Sequence, residues 1–425
     1  MKISRTLALA ASTAAVISLA LAGCASPDAD GGSGSGKTEV SFLTFTSPNL
    51  PKSFWEDQAA AIEKENPDIS IKLLYTPDLD RQAYAKQLLA SGQLPDVIWD
   101  APLTDFVEAG ALLPFPASAY DGIDAAEGFG AVDGKQYNLT SGAFMMNGLY
   151  YNPDAFAAAG ISTPTTFAEL KASGPKLTAA GFTPILLQSS SDAWANEYLL
   201  DGFVDSDVIS KNADWLKERK AGTVKFDSAE FRSAVQKFVD IRDAGMFNAD
   251  ALSLNYAQAS TEWATGKYAM WPMGGWAASA ATTGFTSGVF LTPGDENVIA
   301  VSQGASLYVS ASTKHPDEAQ KVAIGLATSV GYAESVMVSD GQLSVIKGGI
   351  TPPAKTTQAT LDTITLTEDS AFTRVWPFPT TISGDDAPPS GWGAEYNKAI
   401  EALIGGGSID DFVAALDAKW DSLAK

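Results

Sequence analysis

Glu39-Val40-Ser41-Phe42-Leu43-Thr44-Phe45 alternates polar and apolar residues with the two-residue period of a strand. Residues 51–66 then carry Phe54, Trp55, Ala59 and Ile62 at roughly helical spacing and stop ahead of Pro67, which biases its predecessor out of the helix. A second strand follows over 69–75, a second helix over 81–90 stopped by Ser91-Gly92, and a short buried strand over 96–99. Strand, helix, strand, helix, strand in this order predicts an α/β sheet with crossover connections. Further helices are expected over 228–244, 316–327, 393–404 and 408–423, and no repeat of solenoid length is visible.

The whole chain has 425 residues, room for two or three domains at roughly 150 each, and its 45% apolar content is enough for sizeable cores. Lys and Arg number 28 against 50 Asp and Glu, a net charge of −22. Such a field repels phosphate backbones, so nucleic acid is excluded as a partner. The single cysteine allows no intramolecular disulfide and the single histidine no multi-histidine metal site. Most zinc chemistry and the usual Ser/His/Asp or Cys/His arrangements are thereby removed. No cofactor or metal is expected.

The N-terminus addresses the compartment. Lys2 and Arg5 precede an uncharged, Ala- and Leu-rich run over residues 6–23, the outline of an export signal. Leu21-Ala22-Gly23-Cys24 resembles the lipobox of bacterial lipoproteins, whose cysteine is lipidated and becomes the first residue after cleavage. The resemblance implies a signal peptide over 1–23 and a diacylglyceryl anchor, with acyl chains such as palmitate, on Cys24. Two acyl chains hold firmly where one, at roughly 0.8 kcal/mol per buried CH₂, is marginal. No later apolar stretch approaches the length of a membrane span.

Gly31-Gly32-Ser33-Gly34-Ser35-Gly36-Lys37-Thr38 has the letters of a phosphate-binding loop. That loop works only where it leaves a strand and opens a helix, so that amides and helix dipole converge on phosphate. Here turn-forming residues 25–30 precede it and a strand follows. The segment reads instead as a flexible Gly/Ser tether over 24–37.

Several short motifs recur in a known order. They are Gly92-Gln93-Leu94-Pro95-Asp96-Val97, Leu112-Leu113-Pro114, Asp133-Gly134-Lys135-Gln136-Tyr137, Leu149-Tyr150-Tyr151-Asn152-Pro153-Asp154-Ala155-Phe156, Thr265-Gly266-Lys267-Tyr268-Ala269-Met270 with Gly275-Trp276, and Lys314-His315-Pro316-Asp317-Glu318-Ala319. From about Val40 to the C-terminus this series resembles the extracellular solute-binding proteins of ATP-driven (ABC) importers, in particular the carbohydrate-binding family that includes maltose-binding protein. The resemblance implies a periplasmic-binding-protein-like (type II) α/β fold of two lobes joined by a three-segment hinge. Lobe 1 would comprise 38–143 plus 303–349 and lobe 2 144–302 plus 350–425. The crossings are expected near 141–146, 301–306 and 344–353. A solute would be held between the lobes and handed to a membrane permease, with no catalysis, by a monomer tethered to the outer face of the cytoplasmic membrane. The Ala- and Asp-rich composition and the spacer point to a Gram-positive bacterium.

A sugar ring has an apolar C–H face and a rim of hydroxyls, so its site needs flat aromatic surfaces and polar partners. Trp276, after Met273-Gly274-Gly275, stands where the family presents an aromatic to the cleft; Trp392 and Trp194 are further candidates beside turns. Trp55, Trp263 and Trp420 lie on helices and read as core, and Trp376 is open. Polar candidates stand at strand ends, where open α/β sheets bind ligands: Thr46, Ser47 and Asn49 after the first strand, and Asp100 after the 96–99 strand. Ser141 and Gln303 lie at two crossings. Asp96 reads as structural and His315 as the residue preceding a helix. Two other readings stand beside the sugar: a polyamine, peptide, phosphodiester or metal in the same fold, and an exported glycoside hydrolase using paired carboxylates.

Overall fold

In the computed structural model, the strand Thr38–Thr44 pairs in parallel with Ile69–Tyr75 on one side and with Val97–Trp99 on the other. The helices Lys52–Glu65 and Arg81–Ala90 make the crossovers, the first burying Phe54, Trp55 and Ile62. Residues 36–77, 81–125, 129–191, 193–304, 306–379 and 387–424 are described. Val97–Trp99 pairs antiparallel with Ser306–Ser310, which also pairs with Leu112–Leu113 and Leu139–Thr140 to complete a six-stranded sheet. Asp96 fastens this sheet: one carboxylate oxygen accepts from the Ser41 amide at 2.8 Å and hydroxyl at 2.5 Å, the other from the Thr313 hydroxyl at 2.6 Å. These bonds hold its pKa below the usual carboxylate value against the opposing effect of burial. The helix Pro316–Thr328 covers the sheet, with Pro316 in its first turn and His315 at the cap position.

Thr38, the last residue of the phosphate-loop lookalike, opens a strand and no helix. A phosphate cradle needs a helix N-terminus there, so the nucleotide reading is excluded. Residues 1–35, with the signal, Cys24 and all of the tether but Gly36 and Lys37, lie outside the described residues.

The other lobe is built on a four-stranded sheet in the order Thr183–Ile185, Tyr268–Met273, Gly148–Tyr151, Gly288–Leu291. Beside it stands a three-stranded sheet of Thr373–Val375, Val298–Ser302 and Phe144–Met145. Helices Ala229–Asp243 and Ile409–Leu423 start where Ser228 and Ser408 accept from the third helical amide. Trp392–Ile404 packs on both. Their apolar faces enclose a core containing Phe226, Phe231, Phe378, Trp392, Tyr396 and Trp420. Trp55, Trp263 and Trp420 are all buried.

Three segments connect the lobes. Leu139–Thr140 belongs to the first sheet and Phe144–Met145 to the other. The second crossing runs beside it in the opposite direction, since Val301 and Ser302 pair with Met145 and Phe144 while Ser306 and Leu307 pair with Thr140 and Leu139. The third follows the helix Val330–Asp340, where Leu343 bridges to Ala143 and Ile346 to Ile123 before the chain enters Gln358–Glu368. That last helix packs on the Gly275–Ser279 turn and Gly288–Leu291, in the second lobe.

Candidate functional site

The candidate site lies where the loop after Thr38–Thr44 meets the turn after Tyr268–Met273. From the first lobe come the residues after Thr38–Thr44. Asn49 donates its side-chain amide to the Trp276 carbonyl and to the Asp340 carboxylate, both at 3.0 Å. The first bond joins the lobes. Arg81, at the start of its helix, lies with its guanidinium 4.1 Å from the Phe45 ring centroid and 3.9 Å from the Asp100 carboxylate. Asp100 also accepts from Gln82 at 3.0 Å, and its backbone adopts a left-handed φ of 61°. Such a φ is uncommon for a residue other than glycine and tolerated best by Asp and Asn.

The second lobe supplies an aromatic nest. Trp276 lies on the 3₁₀ turn Gly275–Ser279 that follows the strand Tyr268–Met273. Its ring meets Trp194 at 5.8 Å, Tyr198 at 5.5 Å and Phe144 at 5.3 Å, all edge-on, and Trp194 leans on Tyr256 at 5.6 Å. In each edge-on pair the rim of one ring meets the face of the other, and both Trp194 and Trp276 stay half-buried. The Trp276 indole nitrogen is buried without a hydrogen-bond acceptor among the described residues. A Cβ on Gly274 would fall 2.4 Å from the Trp276 ring, so the ring folds back over Gly274 and a larger residue there would have to displace it.

Asp340 adjoins Asn49. It ends the helix Val330–Asp340, and the following Gly341 has φ +62°, with a would-be Cβ 2.4 Å from the Gly275 carbonyl oxygen. Only glycine allows so close a join between that helix and the Trp276 turn. Burial pushes the Asp340 carboxyl up to about 7, opposed by the hydrogen bond from Asn49, by the nearby Gln342 amide and by the charge of Arg81. Met146, Glu197, Tyr198, Asp201, Pro377 and Phe378 line a crevice beside Tyr198 too narrow to hold a water molecule. Asp201 accepts from Tyr396 at 2.6 Å and Asp205 from the Phe378 amide at 2.7 Å, and burial raises both carboxyls well above their ordinary values. Among the described residues, no three His, Cys, Asp or Glu are grouped to hold a metal ion.

The candidates from sequence therefore divide. Trp194, Trp276 and Asn49 are brought together, with Thr46 half-buried in the same loop as Asn49. Ser47 is a turn residue whose hydroxyl accepts from the Leu50 amide at 3.1 Å. Asp100 is engaged by Arg81 and Gln82 within its own lobe. Trp392 is a correction: it is 0% exposed, with Phe226 stacked at 5.2 Å and Tyr396 at 4.9 Å, so it has no face to offer a ligand. Ser141 is likewise corrected to a buried residue beside Tyr332. Gln303 donates to the Asp124 carbonyl at 2.9 Å and secures the crossing. Sequence reasoning missed Asp340, Tyr198, Tyr256 and Arg81. One signal was present for Asp340: an acid in the last position of a helix opposes the macrodipole and needs another reason to be there.

Residues 47–329 match the family of bacterial extracellular solute-binding proteins, and the chain belongs to that family. No curated protein matches it. Among solved structures it is similar to a chitin oligosaccharide binding protein, with a TM-score of 0.77 and 22% identity over 91% of this chain and 99% of that one. It is also similar to the solute-binding protein RafE in complex with raffinose, with a TM-score of 0.73 and 21% identity over 92% of this chain and 100% of that one. A sugar transporter of Bacillus licheniformis in complex with stachyose gives a TM-score of 0.72 and 16% identity over 91% of this chain and 100% of that one. At these identities the likeness is one of fold. Membership in the family makes the chain an extracellular solute-binding protein.

Proposed function

We propose that this protein captures an oligosaccharide between its lobes and delivers it, chemically unchanged, to the permease of an ABC importer. The observation that carries the reading is the edge-on nest of Trp194, Tyr198 and Trp276 facing the Asn49, Asp340 and Arg81 side. Half-buried indole faces suit the C–H face of a pyranose, and amide, carboxyl and guanidinium groups suit its hydroxyls. Three structural relatives described as binding a chitin oligosaccharide, raffinose or stachyose support the same class of solute. Ligand contacting both lobes would favour the closed arrangement. The lobes are taken as 38–143 plus 303–349 and 144–302 plus 350–425, supported by the separate strand membership of the sheets.

The same proposal includes cleavage before Cys24, its lipidation, and attachment of the monomer to the outer face of the cytoplasmic membrane of a Gram-positive bacterium. Its support is the charged start, the apolar run and the placement of the only cysteine. Cys24→Ala is then expected to move the protein from the membrane fraction into the medium. For the solute, the test is a thermal-shift panel of mono- and oligosaccharides beside polyamines and peptides. A ligand that binds only the native state at a hundredfold excess over Kd stabilises it by about 2.7 kcal/mol. A shift with polyamines or peptides and none with any sugar overturns the carbohydrate reading.

A further inference from the structure

One aromatic pair outside the nest is stacked face to face and partly exposed. Trp376 is 37% exposed, and its ring lies on that of Phe129 with centroids 5.0 Å apart and planes 5° from parallel. The two rings come from different lobes. Trp376 directly follows Thr373–Val375, which pairs with the crossing strand Val298–Ser302. Phe129 precedes Gly130, and a Cβ on Gly130 would meet the Asn138 amide at 1.7 Å; Asn138 in turn donates to the Ser306 hydroxyl of the first sheet. Phe129 therefore moves with the first lobe and Trp376 with the second.

Trp376 also continues the nest outward. Pro377 and Phe378, the next two residues, line the same narrow crevice as Tyr198, and Tyr198 touches Trp276. The segment thus runs from beside Tyr198, a neighbour of Trp276, to a partly exposed indole. At 5.0 Å the stack has no room for a sugar ring between its members. A ring at Trp376 must replace Phe129.

We infer that Trp376 is an outer stacking subsite for a sugar ring, and that Phe129 occupies its face until the lobes part and the ligand displaces it. The inference rests on the carbohydrate reading above and sharpens it: the solute is a chain of several rings, of which Trp276 takes an inner one and Trp376 an outer one. An aromatic face adds affinity only for ligands long enough to reach it.

Isothermal titration of the full chain in detergent, with melibiose, raffinose, stachyose and chitin oligosaccharides of two to five residues, tests this. Trp376→Ala is expected to weaken the longest sugar bound by roughly tenfold while leaving the shortest bound sugar unchanged. Trp376→Phe restores most of the loss, because it retains a flat face. Phe129→Ala leaves affinity for the long sugar equal or higher, since a competitor has been removed. Unchanged length dependence in Trp376→Ala overturns the inference and leaves the carbohydrate reading intact. An equal loss in Phe129→Ala and Trp376→Ala overturns it too, because the pair would then act as a closing clasp. Absence of any sugar binding by the unmodified chain removes the carbohydrate reading itself.

Discussion

The Asn49 amide and the Asp340 carboxylate meet at 3.0 Å, one from the loop after the first strand and the other from the last position of a helix some 290 residues later in the chain. Because Asn49 also holds the Trp276 carbonyl of the opposite lobe, a single amide couples a buried acid to the turn that carries Trp276, the proposed stacking residue. Removing it with Asn49→Ala leaves Asp340 with Gln342 and the field of Arg81. We expect a loss of about 1–3 kcal/mol in urea unfolding, the cost of leaving a buried polar group short of a partner. Sugar affinity should fall with it, since the Trp276 turn loses its tie to the first lobe. Unaltered stability would show that the Asn49 bond contributes nothing net.

The Asp340 carboxyl gives stability a definite pH dependence. Its folded pKa is raised from 3.8 to about 7 by burial, so between these values the folded state binds more protons than the unfolded one. Stability from this group is full below about pH 4, declines as pH rises, and is lost above about 7, at up to roughly 1.4 kcal/mol per pH unit within the window. Asp201 and Asp205, raised in the same direction, act in the same sense. Asp340→Asn should therefore flatten only part of the decline. Unfolding free energies measured from pH 4.5 to 8 check this, and an identical slope in the variant would place the titration elsewhere.

Much of the fold was legible because its signals are local. Residues 69–75 and 81–90 carry their own period and stop signals and form the expected strand and helix. The site was legible only in part. Trp276 and Trp194 stand beside turns and do lie together, but Trp392 stands beside a turn as well and is enclosed by Phe226, Phe378, Tyr396 and Trp420. Which way an indole faces at a helix start depends on what packs against that helix, and Phe226 arrives from a segment far away in sequence and Trp420 from the following helix. Tyr198 and Tyr256 were hidden for the same reason: each begins a helix, and only the tertiary arrangement turns it toward Trp276 or Trp194.

Gly341 joins the Asp340 helix to the Trp276 turn by close approach, and this predicts an asymmetric response to alanine. Gly341→Ala would place its Cβ 2.4 Å from a backbone oxygen that cannot rotate away, in addition to adopting a left-handed φ. The φ alone costs roughly 1–2 kcal/mol for an L-residue. Gly110→Ala is the control, since Gly110 has φ +64° and nothing within 4 Å of a Cβ. Thermal unfolding should show Gly341→Ala clearly less stable than Gly110→Ala. Equal destabilisation would mean that the backbone at Gly275 yields without cost.

The contrast between Trp276 and Trp392 separates binding from packing. Trp276→Ala removes a half-buried ring whose neighbours meet it edge-on, and whose buried indole nitrogen has no acceptor among the described residues. Affinity for the bound sugar should drop by about tenfold or more, with a modest change in unfolding midpoint. Trp392→Ala removes a wholly buried ring stacked between Phe226 and Tyr396. There the cost should be about 3–5 kcal/mol of stability, with sugar affinity retained by the fraction that folds. Paired titration calorimetry and denaturant unfolding on the two variants read both quantities. If Trp392→Ala abolishes sugar binding at a temperature where its circular dichroism is native, Trp392 belongs to the site after all; if Trp276→Ala binds sugar undiminished, the nest around Trp194 and Tyr198 is core and the solute lies elsewhere.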